Sequence, residues 1–200
     1  SIENEDELAV DYAGLNHFFW ITEARTKDLD IFADLKSRVA SEGLTSILRK
    51  AAEGSDISAA PRDLATALFN ETGVMPYFGD RHTSEFFPCY ITNKKAMEKY
   101  KIMRTTIEER NKGFTKREKK LQEFLRGEIP EEYYTRSRET AADIIAAHAT
   151  GGTFIDVGNV PNVGQVANLP PNTVVETAVR VDRNGFSPIC FGPLPQPVLG

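Results

Sequence analysis

An asparagine and a histidine stand side by side at positions 16 and 17, directly before the apolar run Phe18-Phe19-Trp20-Ile21. We expect that run to form a buried strand, with Gly14 allowing a tight turn ahead of it. An imidazole presented from the end of a rigid strand suits metal binding, and a neighbouring amide suits binding of a hydroxyl group. A histidine among aromatic residues is more often a hydrogen-bonded core residue, so this pattern alone leaves both interpretations open.

A second stretch, residues 73–88, places four ionisable side chains between aromatic residues: Asp80, Arg81, His82 and Glu85. One interpretation is a solvated loop in which Arg81 pairs with a nearby carboxylate. The flanking aromatic residues favour a loop drawn partly into the core, where ionisable groups have shifted pKa values that suit acid–base catalysis. The residues themselves do not decide between a structural and a catalytic role.

The composition excludes several classes of protein. A net charge of −5 and a pI near 5.3 oppose a nucleic-acid partner held through its phosphates. No apolar run approaches the roughly 18 residues that cross a bilayer, so no membrane partner is expected. Cys89 and Cys190 lie far apart without a CxxC pattern, which favours reduced thiols and a cytoplasmic location. The missing initiator Met and the apolar, proline-rich C-terminus predict a piece of a longer polypeptide.

Helical periodicity dominates the middle of the chain, and strand alternation dominates its end. We expect helices over 29–39, 43–52, 60–73, 104–126 and 138–149, and strands over 153–160 and 173–181. Asn184-Gly185 predicts a hairpin turn, and His148 is expected to be structural. The charged helix 104–126 has a thin apolar stripe, typical of a solvated element or of an arm in a subunit contact. These elements predict one α+β domain over residues 1–200, with antiparallel strands and several helices.

Three separated motifs, in this order, resemble family 4 of the glycoside hydrolases. They are Gly14-Leu15-Asn16-His17-Phe18 with Trp20, the stretch Gly73–Pro88, and Asn159–Gly164 leading to Asn168-Leu169-Pro170 and a Val-Val-Glu strand. This family comprises NAD- and divalent-metal-dependent glycosidases. The version of the second motif found here is similar to the α-glucosidase, α-galacturonidase and α-glucuronidase branch, and less similar to the 6-phospho-glycosidases.

The resemblance implies that the chain is the C-terminal, substrate- and metal-binding portion of such an enzyme. Its fold is then expected to be like the C-terminal domain of lactate and malate dehydrogenases. The family's dinucleotide-binding Rossmann domain is expected to be absent, because the sequence contains no GxGxxG motif. The family's metal-binding cysteine also lies upstream of the first motif. We therefore expect the chain alone to be inactive.

The family's chemistry implies roles for individual residues. NAD removes a hydride from C3 of the sugar, a base removes the acidified C2 proton, and the aglycone leaves from C1, without the usual pair of carboxylates. His17 resembles the imidazole ligand of the divalent metal, expected to be manganese. Asn16 would hydrogen-bond a sugar hydroxyl. Asp80 is the first choice for the C2 base, and Tyr77 is the second.

The remaining implied roles concern the substrate and the partners. Arg81 and His82 would bind a carboxylate or hydroxyl of the sugar, the arginine in a bidentate manner. Asn162 would contact the sugar or, with Asn159, order the loop beside it. The expected partner is a small-molecule glycoside, and the family tends to form homo-dimers or homo-tetramers. Two alternatives stay open: the C-terminal domain of a lactate/malate-type dehydrogenase, and a non-catalytic binding or assembly domain.

Overall fold

The computed structural model describes residues 8–27, 29–52, 60–136 and 139–199. An antiparallel sheet forms its centre, with strand order β3-β2-β1-β6-β5; β4 pairs with β2, and β7 pairs with β6. The strands are β1 (Leu8–Leu15), β2 (Phe18–Thr26), β3 (Leu29–Asp30), β4 (Met75–Pro76), β5 (Phe154–Pro161), β6 (Val174–Asp182) and β7 (Gly185–Pro188).

The helices lie mostly between β2 and β5 in the chain. They are α1 (Phe32–Ala52), α2 (Asp63–Thr72), α3 (Asp80–Phe86), α4 (Pro88–Ile91), α5 (Lys94–Lys99), α6 (Ile107–Leu125) and α7 (Ala141–Thr150). Gly43 has φ 75° and divides α1 into two helical segments, close to where the sequence predicts separate helices. Short 3₁₀ turns occur at Glu131–Tyr134 and Gln196–Val198.

Two apolar clusters attach the helices to the β1–β2 hairpin and to one another. The larger cluster joins α1, α2 and β4 and contains Val39, Leu44, Ala65, Phe69 and Met75. A second cluster holds the other side of α2 against the segment that follows α5, through Leu64, Leu68 and Ile102. Because α2 is buried on two sides, it provides a rigid base for the residues that follow it.

The predicted fold class is confirmed, with antiparallel strands and several helices. The long charged helix occurs as α6, and the strands at the end of the chain occur as β5, β6 and β7. Residues 29–30 form a short strand instead of starting a helix. Of the helix expected over 138–149, Arg138 lies outside the described residues. Within the described part of the chain, no helix is both long and apolar enough to cross a membrane.

The prediction that Gly14 makes the turn before β2 is wrong. Gly14 lies inside β1, opposite Phe19, and the chain reverses two residues later at Asn16 and His17. A Cβ added at Gly14 would lie 2.5 Å from the Phe19 Cα and 2.6 Å from the Phe18 carbonyl oxygen. Glycine is therefore required for close approach of the two strands, and the requirement has a steric cause.

The substitution Gly14→Ala tests this requirement. We expect it to lower the free energy of unfolding by about 1–3 kcal/mol, because the neighbouring atoms are backbone and cannot move aside cheaply. Urea denaturation measures the change. Gly113→Ala in α6 is the control, since its added Cβ meets nothing within 4 Å and should stabilise the helix by about 0.5–1 kcal/mol. Equal stability of the wild type and Gly14→Ala would contradict the steric argument.

Candidate functional site

Asn16 and His17 form the two-residue turn between β1 and β2, and both are exposed. His17 has φ 60°, in the left-handed region where His, Asn and Asp occur more often than other non-glycine residues. Residues 12–15 of β1 pair continuously with residues 18–21 of β2, and the register shifts only beyond them, between Asp11 and Tyr12, so the backbone of the turn is held at one end of the sheet. This fits the predicted presentation of an imidazole and an amide from a rigid base.

The side chains of His17, Tyr77 and His82 form a cluster of three rings at this turn. The His17 and His82 rings stack with centroids 4.9 Å apart, and the Tyr77 ring lies 5.8 Å from His17 and 6.2 Å from His82. Tyr77 is fixed by its backbone N–H, which donates to the Phe19 carbonyl oxygen at 2.9 Å. The structure therefore brings the first two sequence motifs together, although they are about 60 residues apart in the chain.

The Asn16–His17 turn is also contacted by Glu176 of β6. The sequence motifs do not include this residue among the candidate site residues. It lies on β6 between Gly14 of β1 and Asn159 of β5, and only 6% of its surface is exposed. Its carboxylate accepts hydrogen bonds from the His17 backbone and from the Asn159 side chain. Burial raises the pKa of Glu176, and the hydrogen bonds and the nearby His17 partly oppose this. The sequence gives no local signal for this burial, because alternation alone would place a glutamate of this strand toward solvent.

Asp80 faces away from solvent, with 6% of its surface exposed. Its two carboxylate oxygens accept from the backbone N–H groups of Leu64 and Ala65, at 2.8 and 3.0 Å. Both donors belong to the first turn of α2, where backbone N–H groups lack helical partners and favour negative charge. Burial nevertheless raises the pKa of Asp80 to about 6. The predicted role of Asp80 as the C2 base stays a prediction, while its contacts are those of a helix cap.

A cleft of about 810 Å³ opens beside the three rings, and His82 contributes to both features. Its charged lining is mainly cationic and consists of Arg62, Arg81, Lys101, Arg104, Asp80 and Glu109. Lys101 is paired with Asp63 at 2.9 Å. Arg81 donates to the neutral Thr105 hydroxyl at 2.6 Å and has no carboxylate in ion-pair range within the described residues. The cleft thus has positive charge left for an anion.

Arg62 also lines the cleft, but its guanidinium is engaged by the backbone. Its Nη1 donates to the carbonyl oxygens of Ala60 and Pro61, at 3.1 and 3.0 Å. Its Nε is buried and has no hydrogen-bond partner among the residues that the structure describes. A buried donor without a partner costs free energy, and with less than 1 Å² of accessible surface this nitrogen is closed to a ligand in the cleft.

Asn162 is the centre of the loop between β5 and β6. It is 2% exposed, and its amide nitrogen donates to the carbonyl oxygens of Val166 and Leu169 at 3.0 and 2.9 Å. Its amide oxygen accepts from the backbone of Gly164 and Val166. Asn162 therefore orders this loop, the second of its two expected roles. Both ends of the amide are engaged within the loop, and the contact of Asn162 with the sugar stays a prediction.

His148 contacts the Asp182 carbonyl oxygen through Nδ1 at 3.1 Å, joining α7 to the end of β6, as expected of a structural histidine. Cys89 and Cys190 are free and exposed.

No group of three or more His, Cys, Asp or Glu residues suited to a metal ion occurs within residues 8–27, 29–52, 60–136 and 139–199. His17 could supply one ligand, but the described residues do not complete a metal site.

Comparison with known proteins identifies the family. The family 4 glycosyl hydrolase C-terminal domain matches residues 12–200, almost the whole chain. The chain belongs to glycoside hydrolase family 4. Among curated family 4 relatives, the α-galacturonidase of Bacillus subtilis is 28% identical over 200 residues, and that of Thermoanaerobacterium saccharolyticum is 29% identical over 204 residues. Each alignment covers 98% of this chain but only 44% and 43% of the relative, so the chain spans less than half their length.

Solved family 4 structures share the fold. That of lplD, a glucosidase candidate from Bacillus subtilis, matches with a TM-score of 0.76 at 29% identity, over 98% of this chain and 45% of the other. The 6-phospho-β-glucosidase of Thermotoga maritima, solved with manganese, NAD+ and glucose-6-phosphate, matches with a TM-score of 0.60 at 23% identity, over 95% and 41%. At 23% identity, the similarity to the Thermotoga maritima structure shows a shared fold only.

Proposed function

We propose that this family 4 chain is the substrate-binding portion of an NAD- and divalent-metal-dependent glycosidase that acts on α-linked hexuronides, with α-galacturonides as the first choice. The observation that carries the proposal is the continuity between the His17–Tyr77–His82 ring cluster and the cationic cleft. The similarity to α-galacturonidases supports the same substrate class.

A hexuronide differs from a neutral hexoside by a carboxylate at C6, and the cleft offers donors for such a group. Arg81 lines the cleft, and its guanidinium donates to a neutral partner, the Thr105 hydroxyl. Charge-assisted hydrogen bonds from a guanidinium are among the strongest in proteins, and the fork geometry matches a carboxylate. The sugar ring would then lie against His82 and reach the Asn16–His17 turn.

Each residue of the turn and the ring cluster has a distinct task in this proposal. Asn16 and His82 bind sugar hydroxyls and fix the orientation of the ring. Tyr77 takes the proton from C2, because its side chain faces His17 and His82 whereas the Asp80 carboxylate is occupied by the start of α2. His17 would supply one metal ligand, with the others outside the described residues. NAD and the metal, when bound, supply hydride exchange at C3 and polarisation of the sugar oxygens.

Binding of two matched sugars to the 200-residue chain tests the substrate class. Galacturonate and galactose differ only at C6, and each is titrated while ¹H–¹⁵N NMR spectra are recorded. We expect galacturonate alone to shift signals around Arg81, His82 and His17. Arg81→Gln should weaken galacturonate binding about 10–100-fold, because a charge-assisted pair contributes roughly 1.5–3 kcal/mol. Arg49→Gln, an exposed cation on α1, is the control. Equal binding of both sugars would contradict a hexuronide substrate.

Turnover is tested in a longer enzyme, in which this chain follows the N-terminal portion of the Bacillus subtilis α-galacturonidase. With NAD and Mn²⁺, we expect hydrolysis of nitrophenyl α-galacturonide to exceed that of the α-glucoside. His17→Ala should reduce the rate by more than the 10–100-fold that is typical for loss of a residue supporting a metal ligand. His148→Ala should retain activity. Sugar binding without any turnover would favour the alternative of a non-catalytic binding domain.

A further inference from the structure

Arg81 lies between two cavities. It lines the cleft of about 810 Å³ and also a smaller cavity of about 170 Å³, whose lining includes Glu85. Glu85 follows Arg81 by four residues in α3, the spacing at which opposite charges attract each other on a helix. Within the part of the chain that the structure describes, Arg81 forms no ion pair with this carboxylate. Its Nη1 donates instead to the Thr105 hydroxyl, at 2.6 Å.

Thr105 belongs to the connector between α5 and α6, residues 101–106, and the structure fixes this connector on both sides of Thr105. Ile102 is 6% exposed and packs against α2 in an apolar cluster. Thr106 caps α6 through its side chain and its backbone. Because the chain is anchored at positions 102 and 106, the hydroxyl at position 105 is held at a defined place in the cleft wall.

A neutral acceptor has an effect on Arg81 that a carboxylate would not have. It orders a long, flexible side chain, and ordering such a side chain otherwise costs free energy when a ligand binds. It also leaves the positive charge of the guanidinium available to an anionic ligand. A carboxylate partner such as Glu85 would instead compete with the substrate carboxylate for the same fork of donors. The partner of Arg81, Thr105 or Glu85, therefore decides whether the cleft can bind a carboxylate.

We propose that Thr105 is a positioning residue, which keeps the Arg81 guanidinium in the cleft and away from Glu85, and so sets the preference for a sugar that carries a carboxylate. This inference rests on the hexuronide substrate proposed above. It adds a residue that lies outside the three sequence motifs. Thr105 takes no part in the reaction and acts only through Arg81.

Titration of the 200-residue chain with galacturonate tests this role. Thr105→Val removes the acceptor and should weaken binding about 2–10-fold, because Arg81 must then be ordered when the ligand binds. Thr105→Ser keeps the hydroxyl and should bind like the wild type. Thr105→Asp should weaken binding about 10–100-fold, because the new carboxylate occupies the guanidinium. Thr115→Val in α6, where the hydroxyl donates to the Asn111 carbonyl oxygen, is the matched control. Equal binding by the wild type and Thr105→Val would overturn the proposal.

A double variant tests the competing partner. Glu85→Gln combined with Thr105→Val removes the carboxylate toward which Arg81 would turn, so the double variant should bind galacturonate more tightly than Thr105→Val. Glu85→Gln alone is the control, because the Glu85 carboxylate also lies 3.5 Å from Nδ1 of His82. The same affinity for Thr105→Val and the double variant would contradict competition by Glu85.

A measurement without sugar separates this inference from the hexuronide proposal. The Nε–H signal of Arg81 is assigned in ¹H–¹⁵N NMR spectra by its loss in Arg81→Gln. Its nuclear Overhauser effects should connect it to the side chain of residue 105 in the wild type and in Thr105→Ser, and to Glu85 in Thr105→Val. Unchanged effects in Thr105→Val would overturn the positioning role. If the predicted change occurred but the wild type did not bind galacturonate, the positioning of Arg81 by Thr105 would be supported and the hexuronide substrate contradicted.

Discussion

Asp80→Ala is expected to lower the free energy of unfolding by about 1–3 kcal/mol at pH 7, because it leaves buried backbone N–H groups without acceptors. The two groups belong to Leu64 and Ala65, at the start of a helix that is buried on two sides. Water cannot easily replace the lost carboxylate at a position that is 6% exposed. Urea denaturation measures the effect. Asp34→Ala, which removes an exposed acid from the first turn of α1, is the control.

The same residue predicts a pH dependence of stability. Its pKa in the folded protein is about 6, against 3.8 ordinarily, because burial disfavours the charged form. Between these values the folded state holds a proton that the unfolded state has lost. The contribution of Asp80 to stability is therefore greatest below pH 3.8 and declines as the pH rises through 6.

Asp80→Asn isolates this contribution, because an amide does not titrate and keeps the size of the protonated acid. We expect the stability of the wild type relative to Asp80→Asn to be greatest near pH 4 and to fall steadily toward pH 7. Unfolding curves at several pH values measure the difference between the two proteins. A relative stability that rises with pH would mean that the carboxylate is stabilised in its charged form.

Substitution also tests whether Asp80 or Tyr77 is the base that removes the C2 proton. Asp80→Asn in the longer enzyme, with deuterium incorporation at C2 as the readout, should leave exchange in place if Tyr77 is the base. Tyr77→Phe should suppress it. Suppression of exchange by Asp80→Asn without loss of stability would instead indicate that Asp80 is the base.

Local features of the fold could be predicted because their causes are local. Helix α6 begins at the capping box formed by Thr106 and Glu109, and α2 ends at Gly73, which adopts φ 71°. The alternation in residues 173–181 predicts β6 with a boundary error of one residue. Each of these signals involves residues close together in the sequence, where periodicity and capping rules apply.

The candidate site could be predicted only in part, because its remaining contacts link distant segments. The turn at Asn16 and His17 escaped prediction because Gly14 suggested a bend and the partner strand β1 was not expected. Asp80 is an ionisable group between aromatic residues, and no local pattern indicates that its carboxylate accepts from the start of a helix 15 and 16 residues earlier. Long-range pairing of this kind leaves no pattern within a single segment.

Glu176 is the clearest example of such a residue, and it gives the second large effect. Alternation alone would place a glutamate on β6 toward solvent, yet β6 lies between β1 and β5, and the side chain is buried beneath the turn. Because its carboxylate accepts from the backbone of His17, it holds a non-glycine residue at positive φ. Conformations of that kind persist only where the surroundings hold them. We therefore infer that Glu176 is a positioning residue for the turn.

Glu176→Ala should reduce the rate of hexuronide hydrolysis in the longer enzyme about 10–100-fold, as expected when support for a metal-binding side chain is lost. In the 200-residue chain it should shift the NMR signals of Asn16 and His17 while distant signals stay in place. Glu176→Gln keeps an oxygen that can accept from the His17 N–H, so it should restore most of the activity. Arg180→Ala, at an exposed position of the same strand, is the control. If Glu176→Ala lowered overall stability but left the turn signals and the rate unchanged, Glu176 would be a buried polar residue without a role in positioning His17.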